Sequence, residues 1–328
     1  MPRKKRKASK NASRAEAKGR GKGPLRRVGR ILGIFLALLG ALLLTLLWRL
    51  HAGGKLPPTP FDGERAMRHV EALVAFGPRP AGSKALAKSR TYIVNTLEAL
   101  GLTVERDPFV AQTPRGPIPM ENLIVRLPGA RPRAIAFASH YDTKFFPHFP
   151  FVGANDGGSS TGVLLELARV LATRRLPVEV WLLFFDGEEA QRHWTKEDSL
   201  YGSRHFVATH REMLERLDAL VLIDMIGDRD LELQVDLNSS MWLVQRFWNM
   251  ARRMGYGRHF GARVTMIEDD HLPFREAGID AIDLIDFSYG PKNRYWHRPE
   301  DTLDKLSPQS LEVIGDLLVH GVEVLANR

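Results

Sequence analysis

With 328 residues and 44% hydrophobic side chains, the chain is long enough for one large domain or two ordinary ones. Its net charge of +9 sits at the start: residues 1–30 hold 13 of the 47 Lys and Arg and a single acid, Glu16, leaving 34 basic and 37 acidic groups elsewhere. A body at net −3 is not a nucleic-acid binder by charge, and the lack of cysteine excludes disulfides, thiolate metal sites and a cysteine nucleophile while leaving the compartment open.

Ile31 to Trp48 is an uncharged run of 18 residues between Arg30 and Arg49. At the helical rise it would extend about 27 Å, against roughly 30 Å of bilayer hydrocarbon. A buried core helix suits neither the basic flanks nor a run whose one polar residue is Thr45. A cleaved signal peptide suits neither the length nor the absence of an A-x-A-like site. The expectation is an uncleaved single-pass membrane anchor over 31–48. The basic tail 1–30 then lies in the cytoplasm and the catalytic domain outside it. Pro2 to Lys7 also has the composition of a nuclear localisation signal, but beside a spanning helix its charge sets topology and touches anionic lipid.

His51 to Asp62 is rich in Gly and Pro, so 49–62 reads as a linker. From 63 to 328 no repeat, low-complexity stretch or second linker interrupts the chain, which predicts one catalytic domain. Ser83–Leu100 has helical spacing and stops at Gly101, a C-terminal cap. Val104–Val110 and Leu123–Leu127 read as strands, and Ala134–Ser139 as a buried strand. Ser159–Thr173 is helical, and Val178–Phe185 and Leu220–Ile226 are further buried strands. Trp242–Met254 and Leu311–Leu325 are amphipathic helices, with a strand at Ala281–Phe287 between them. Buried strands interleaved with helices predict a three-layer α/β/α sandwich around a mostly parallel sheet. Ligands in such folds bind beyond the carboxyl ends of the strands.

The unusual polar residues fall at those ends. His140 and Asp142 follow the strand AIAFAS and, two apart, share a face. Asp156 lies in the glycine-flanked GANDGG before a helix, where it also suits a place beside an N-cap. Asp186-Gly187-Glu188-Glu189 follows VEVWLLFF. Adjacent side chains there diverge, so one Glu can hold a metal while the other faces substrate as a proton carrier. Asp224 interrupts an apolar strand and must be paired, hydrogen-bonded or near a metal. Glu268-Asp269-Asp270-His271 and Trp296-His297 complete the set. A lone histidine or exposed acid pair is more often structural than functional, so the signal rests on the ordered set. Asp, Glu and His together suit zinc with an open fourth position.

The order HxD … D … EE … D … H on an α/β sheet resembles the M28 family of zinc peptidases and, within it, the glutaminyl cyclase branch. The resemblance runs from Phe76-Gly77-Pro78-Arg79 onward and rests on SHYDTK (139–144), FFDGEEA (184–190), HWTKEDSLYGSRH (193–205), IEDDHLPF (267–274) and WH (296–297). DSLYGSRH after a tryptophan, and IEDDH, set it apart from the aminopeptidase branch.

The resemblance implies one zinc ion held by Asp156, Glu189 and His297, with Glu188 as general acid/base. It implies that Asp224 and Asp269 form a hydrogen-bonded carboxylate pair near the metal. Trp296 and Trp194 would be pocket aromatics, and Ile267 a pocket wall. The implied partners are peptides or proteins with N-terminal glutamine, which would leave as pyroglutamate with loss of ammonia. His140 matches an aminopeptidase metal ligand. The loop Ser288–Tyr295 is longer and more basic than the branch leads one to expect. Two other readings stay open. One is an M28 aminopeptidase in which Glu188 activates water while His140 and Asp224 hold a second zinc. The other is a non-catalytic membrane receptor or binding domain on the same fold.

Overall fold

The apolar runs become strands β1 (Val104–Thr113), β2 (Gly116–Leu127), β3 (Gly129–His140), β4 (Leu176–Phe185), β5 (Leu217–Asp224), β6 (Leu233–Asp236), β7 (Phe260–Thr265) and β8 (Ala281–Ile285). The computed structural model describes residues 34–41 and 55–327. Six of the strands form one sheet in the order β1-β2-β4-β3-β5-β8, and β6 pairs with β7 separately. The helices are α1 (Gly63–Val74), α2 (Lys84–Glu98), α3 (Gly158–Ala172), α4 (Tyr201–Thr209), α5 (Arg211–Leu214), α6 (Met241–Met254), α7 (His271–Glu276) and α8 (Pro308–Ala326).

Alternation along the strands builds two cores. Val180, Leu182 and Phe184 of β4 face α1, α2, α3, α6 and α8, whereas Trp181, Leu183 and Phe185 face Phe206 of α4 and Phe274 of α7. Both faces are therefore covered, which is why the central strands read as unbroken apolar runs. The helices begin where the sequence supplies caps. Asp62 accepts the Arg65 N–H at the start of α1, and Ser83 accepts the Leu86 N–H at the start of α2. Gly101, at φ +76°, turns the chain out after α2.

The expected mostly parallel sheet holds for one half. The pairs β4–β3, β3–β5 and β5–β8 are parallel, while β1–β2 and β2–β4 are antiparallel. For β1–β2 the reason is the Pro114-Arg115 turn between the paired residues Thr113 and Gly116, since a connection that short can only join antiparallel neighbours. For β2–β4 it is the single residue Pro128 between β2 and β3, which reverses the chain before β3 runs parallel to β4. The expected strands at 104–110 and 123–127 are the outer parts of that hairpin.

The membrane expectation is corrected. Among the described residues no helix is long and apolar enough to cross a membrane. The described helical stretch from the apolar run covers only residues 34–41, about 12 Å at the helical rise. The rest of 31–48, the tail 1–30 and the first part of the proposed linker lie outside the described residues. A single-pass membrane location with an extracytoplasmic catalytic domain therefore has no structural support. The body forms one compact unit from Lys55 to Arg328, and Phe61, from the Gly- and Pro-rich stretch, is buried in its core.

Register positions the site. His140 of β3 pairs with Phe185 of β4, Ala138 with Leu222 of β5, and Asp224 with Ile285 of β8. The four parallel strands thus end in one row, and the segments after them carry the polar residues.

Candidate active site

Each acidic loop is held by a buried partner. After β4, Gly187 adopts φ +70°, and Asp142 accepts the N–H groups of Glu188 (3.1 Å) and Glu189 (3.4 Å) through its two oxygens. Asp142 thereby orients the Glu pair. Before α3, Asp301 accepts the N–H of Asn155 (2.8 Å) and of Asp156 (3.2 Å), and itself receives the Tyr289 hydroxyl at 2.8 Å. Arg79, fully buried, donates to the carbonyls of Tyr141 (3.1 Å) and Gly153 (2.9 Å). Gly157 follows at φ +72°; a β-carbon there would lie 2.7 Å from the Asp142 carbonyl and 2.9 Å from His140 Cε1. Glycine is therefore required beside Asp156. His297 too takes a positive φ, 53°, uncommon for a residue with a side chain. Phe146 and Phe151 meet its ring edge-to-face, and Trp296 stacks on it at 4.2 Å.

This scaffolding brings Asp156, Glu189 and His297 together. His297 Nε2 lies 3.0 Å from Glu189 Oε1 and 3.3 Å from Asp156 Oδ2, and one ligand atom from each of the three falls within 4.8 Å of the others. Two carboxylates and an imidazole, nearly buried yet facing a cleft, form a group that could hold a divalent ion, and their oxygen and nitrogen donors suit zinc. A second group, His140, Asp156 and Asp224, shares Asp156. His140 Nε2 lies 3.2 Å from Asp224 Oδ1 and 3.4 Å from Asp156 Oδ1.

The cleft above them encloses about 260 Å³ and is lined by all nine residues named above as ligands, catalytic groups or pocket walls. His140 is not in the lining; it is buried behind Asp224 and Asp156. Asp224 and Asp269 share the cleft, but no hydrogen bond joins them among the described residues. Asp224 pairs with His140, and Asp269 accepts the Asp270 N–H at 2.6 Å.

The charges are set by burial and by one another. Burial raises the Glu188 carboxyl well above the usual carboxylate range; His140 opposes the rise, and Glu189, Asp269 and Asp270 add to it. Burial likewise raises Asp269, with Asp224 and Asp270 reinforcing it. At Asp156 burial is outweighed by His140 and His297, which hold the carboxyl well below its ordinary range. Burial lowers His297, yet the carboxylates of Glu189 and Asp156 bring it up to about 9.

Sequence reasoning named Glu268 only within the acidic segment 268–271, without its contact to Trp194, and did not single out Lys144, Asp301 or the work of Arg79. Lys144 Nζ lies 3.1 Å from Glu189 Oε2, and Glu268 lines the cleft and accepts the Trp194 indole N–H at 3.0 Å. Nothing in the spacing marks Lys144 or Asp301. Arg79, in FGPRP, is an arginine in an apolar context, which is itself a sign of a buried partner.

Residues 122–322 match the family model for Peptidase family M28. A curated mouse protein, glutaminyl-peptide cyclotransferase-like protein, is 32% identical over 73% of this chain and 70% of its own length. The Drosophila melanogaster glutaminyl-peptide cyclotransferase is 32% identical over 68% and 70%. The crystal structure of an Acidobacteriales bacterium glutaminyl cyclase superposes with a TM-score of 0.79 at 38% identity, covering 84% of this chain and 99% of that one. The chain belongs to peptidase family M28, within its glutaminyl-peptide cyclotransferase branch.

Proposed function

We propose that this enzyme converts the N-terminal glutamine of peptides to pyroglutamate with release of ammonia, using one zinc ion held by Asp156, Glu189 and His297. The observation that carries the reading is the meeting, in one cleft, of that three-residue donor set with the buried Glu188 carboxyl and a wall of Trp194, Trp296 and Ile267. A bound zinc ion would act as a Lewis acid on the side-chain amide carbonyl, worth several kcal/mol.

Glu188 serves as the proton carrier. It takes a proton from the α-amine as that nitrogen bonds to the side-chain carbonyl carbon. It then returns a proton to the amide nitrogen as the bond to that nitrogen breaks and ammonia leaves. A carboxyl raised above its ordinary range suits both halves of the transfer, and one positioned acid/base contributes about 10²–10⁴-fold. Asp224 and Asp269, gathered in the same cleft, keep net proton affinity beside Glu188. Trp296, Trp194 and Ile267 fold the glutamine side chain back towards its amine and exclude the water that would hydrolyse it.

The His140–Asp156–Asp224 group supports a second reading, an aminopeptidase with two metal ions. One experiment separates the two. The zinc-loaded full-length chain is incubated with a Gln-initiated peptide and followed by mass spectrometry. The cyclase reading expects loss of one ammonia with no shortening, abolished in Glu188→Gln. Release of the first residue would establish the peptidase instead.

A further inference from the structure

Trp194 reaches the cleft from the segment between β4 and α4, and Glu268 reaches it from the segment between β7 and α7. Their side chains meet over the mouth: the indole Nε1 donates to Glu268 Oε2 at 3.0 Å, linking residues 74 apart in sequence. The indole is about one-third exposed, so its position is not imposed by core packing. Two charged groups set it instead. Glu268 holds its N–H edge, and Lys144 Nζ stands 6.0 Å from the ring centroid. The root of the segment is fixed as well. Asp198 accepts the N–H groups of Gln191 (2.8 Å), Arg192 (2.8 Å) and His193 (3.0 Å), together with the Tyr201 hydroxyl (2.7 Å). Between that root and Glu268, Trp194 is the residue of the segment that lines the cleft, while the exposed Lys196 ties the same segment to Glu276 of α7 at 3.3 Å.

We infer that Glu268 is a positioning residue that holds the Trp194 indole as one wall of the substrate pocket, so that it governs peptide affinity rather than the chemical step. The inference rests on the cyclase reading for its kinetic form, but the indole–carboxylate link itself does not. A charge-assisted hydrogen bond at an accessible position predicts a KM rise of about three- to ten-fold for Glu268→Ala. The value of kcat should change less than about two-fold, because neither residue exchanges protons with the reacting atoms.

The test is a double-variant cycle in the zinc-loaded full-length enzyme, with Glu268→Ala, Trp194→Phe and both together, alongside Glu268→Gln. Acting through the indole predicts that Glu268→Ala has no further effect once Trp194→Phe has removed the N–H, and that Glu268→Gln, which keeps an acceptor, restores KM. Equal effects of Glu268→Ala in both backgrounds, or a Glu268→Gln as poor as Ala, would overturn the inference. Indole emission provides a readout independent of turnover. The share of the fluorescence that vanishes in Trp194→Phe should shift on Glu268→Ala and stay in place in Glu268→Gln; an unshifted share in Glu268→Ala rejects the link. A chain inactive on Gln peptides but showing that shift would refute the cyclase reading and keep the link.

Discussion

His297 Nε2 lies 3.0 Å from Glu189 Oε1, and the other oxygen of the same carboxylate lies 3.1 Å from Lys144 Nζ. Glu189 therefore faces the imidazole of the candidate metal group on one side and an ammonium on the other. Glu189→Gln should weaken zinc binding by at least about 100-fold, since a neutral amide is a poor zinc ligand and leaves Lys144 without its counter-ion. Competition against a chromophoric chelator measures this directly. Unchanged affinity would remove Glu189 from the ligand set.

Only one of the two candidate groups has all three members on the cleft. Asp156, Glu189 and His297 all line it, whereas His140 does not. An ion at the first group would be held wholly by cleft residues; one at the second would need His140, which is buried behind the lining and already paired with Asp224 at 3.2 Å. The expected zinc content after dialysis is therefore one per chain, by atomic absorption. Two tightly held ions would favour the aminopeptidase reading.

Glu188 has no part in the donor set and adjoins it. Glu188→Gln should lower kcat by about 10²–10⁴-fold while zinc content and KM stay near those of the parent. A loss of zinc in parallel would mean that the residue holds the ion or its loop rather than the proton.

Much of this arrangement was written in the order of the residues. Strand ends could be read because burial on both sheet faces demands unbroken apolar runs, and the acids that follow FAS, LLFF and LVLI stand out against them. What could not be read depends on approach between distant segments. The antiparallel half follows from two short reversals, Pro114-Arg115 and Pro128. Asp301 grips the Asp156 loop from 145 residues away, and Glu268 meets Trp194 through a single side-chain bond. The short pair β6–β7 left no periodicity long enough to detect. The 31–48 run shows the opposite failure, in which hydropathy and length supported an anchor that the described residues do not bear out.

Arg79 joins the Asp156 loop to the end of β3 by donating to three backbone carbonyls, those of Tyr141, Val152 and Gly153. Burial lowers its guanidinium to about 10, with Asp301, Asp156 and Asp142 opposing the shift. Arg79→Met removes these donors and leaves the acids without their cation. It should cost about 3–5 kcal/mol in urea unfolding and weaken zinc binding with it. Stability within about 0.5 kcal/mol of the parent would show that the loop holds its shape unaided.

Outside the cleft lining, His69 on α1 is hydrogen-bonded to the Tyr92 hydroxyl at 2.7 Å. Burial, with Arg68 and Arg65 nearby, lowers its imidazole from 6.5 to about 4. The folded ring therefore stays neutral through a range in which the unfolded chain takes up a proton, so falling pH favours unfolding between about 6.5 and 4. Above that window both states are neutral, and below it both are charged, so the dependence ends. Buried carboxyls act with the opposite sign: burial and Asp142 raise Asp186 to about 7, so acid supports the folded form there. That contribution is shared by a His69→Gln protein and cancels in the comparison. Between pH 7 and pH 5 the parent should lose roughly 1–2 kcal/mol more than His69→Gln, allowing for the partial exposure of the ring. Urea midpoints at the two pH values measure the difference. Parallel losses would mean that His69 ionises in the folded protein at its ordinary pH, its bond to Tyr92 notwithstanding.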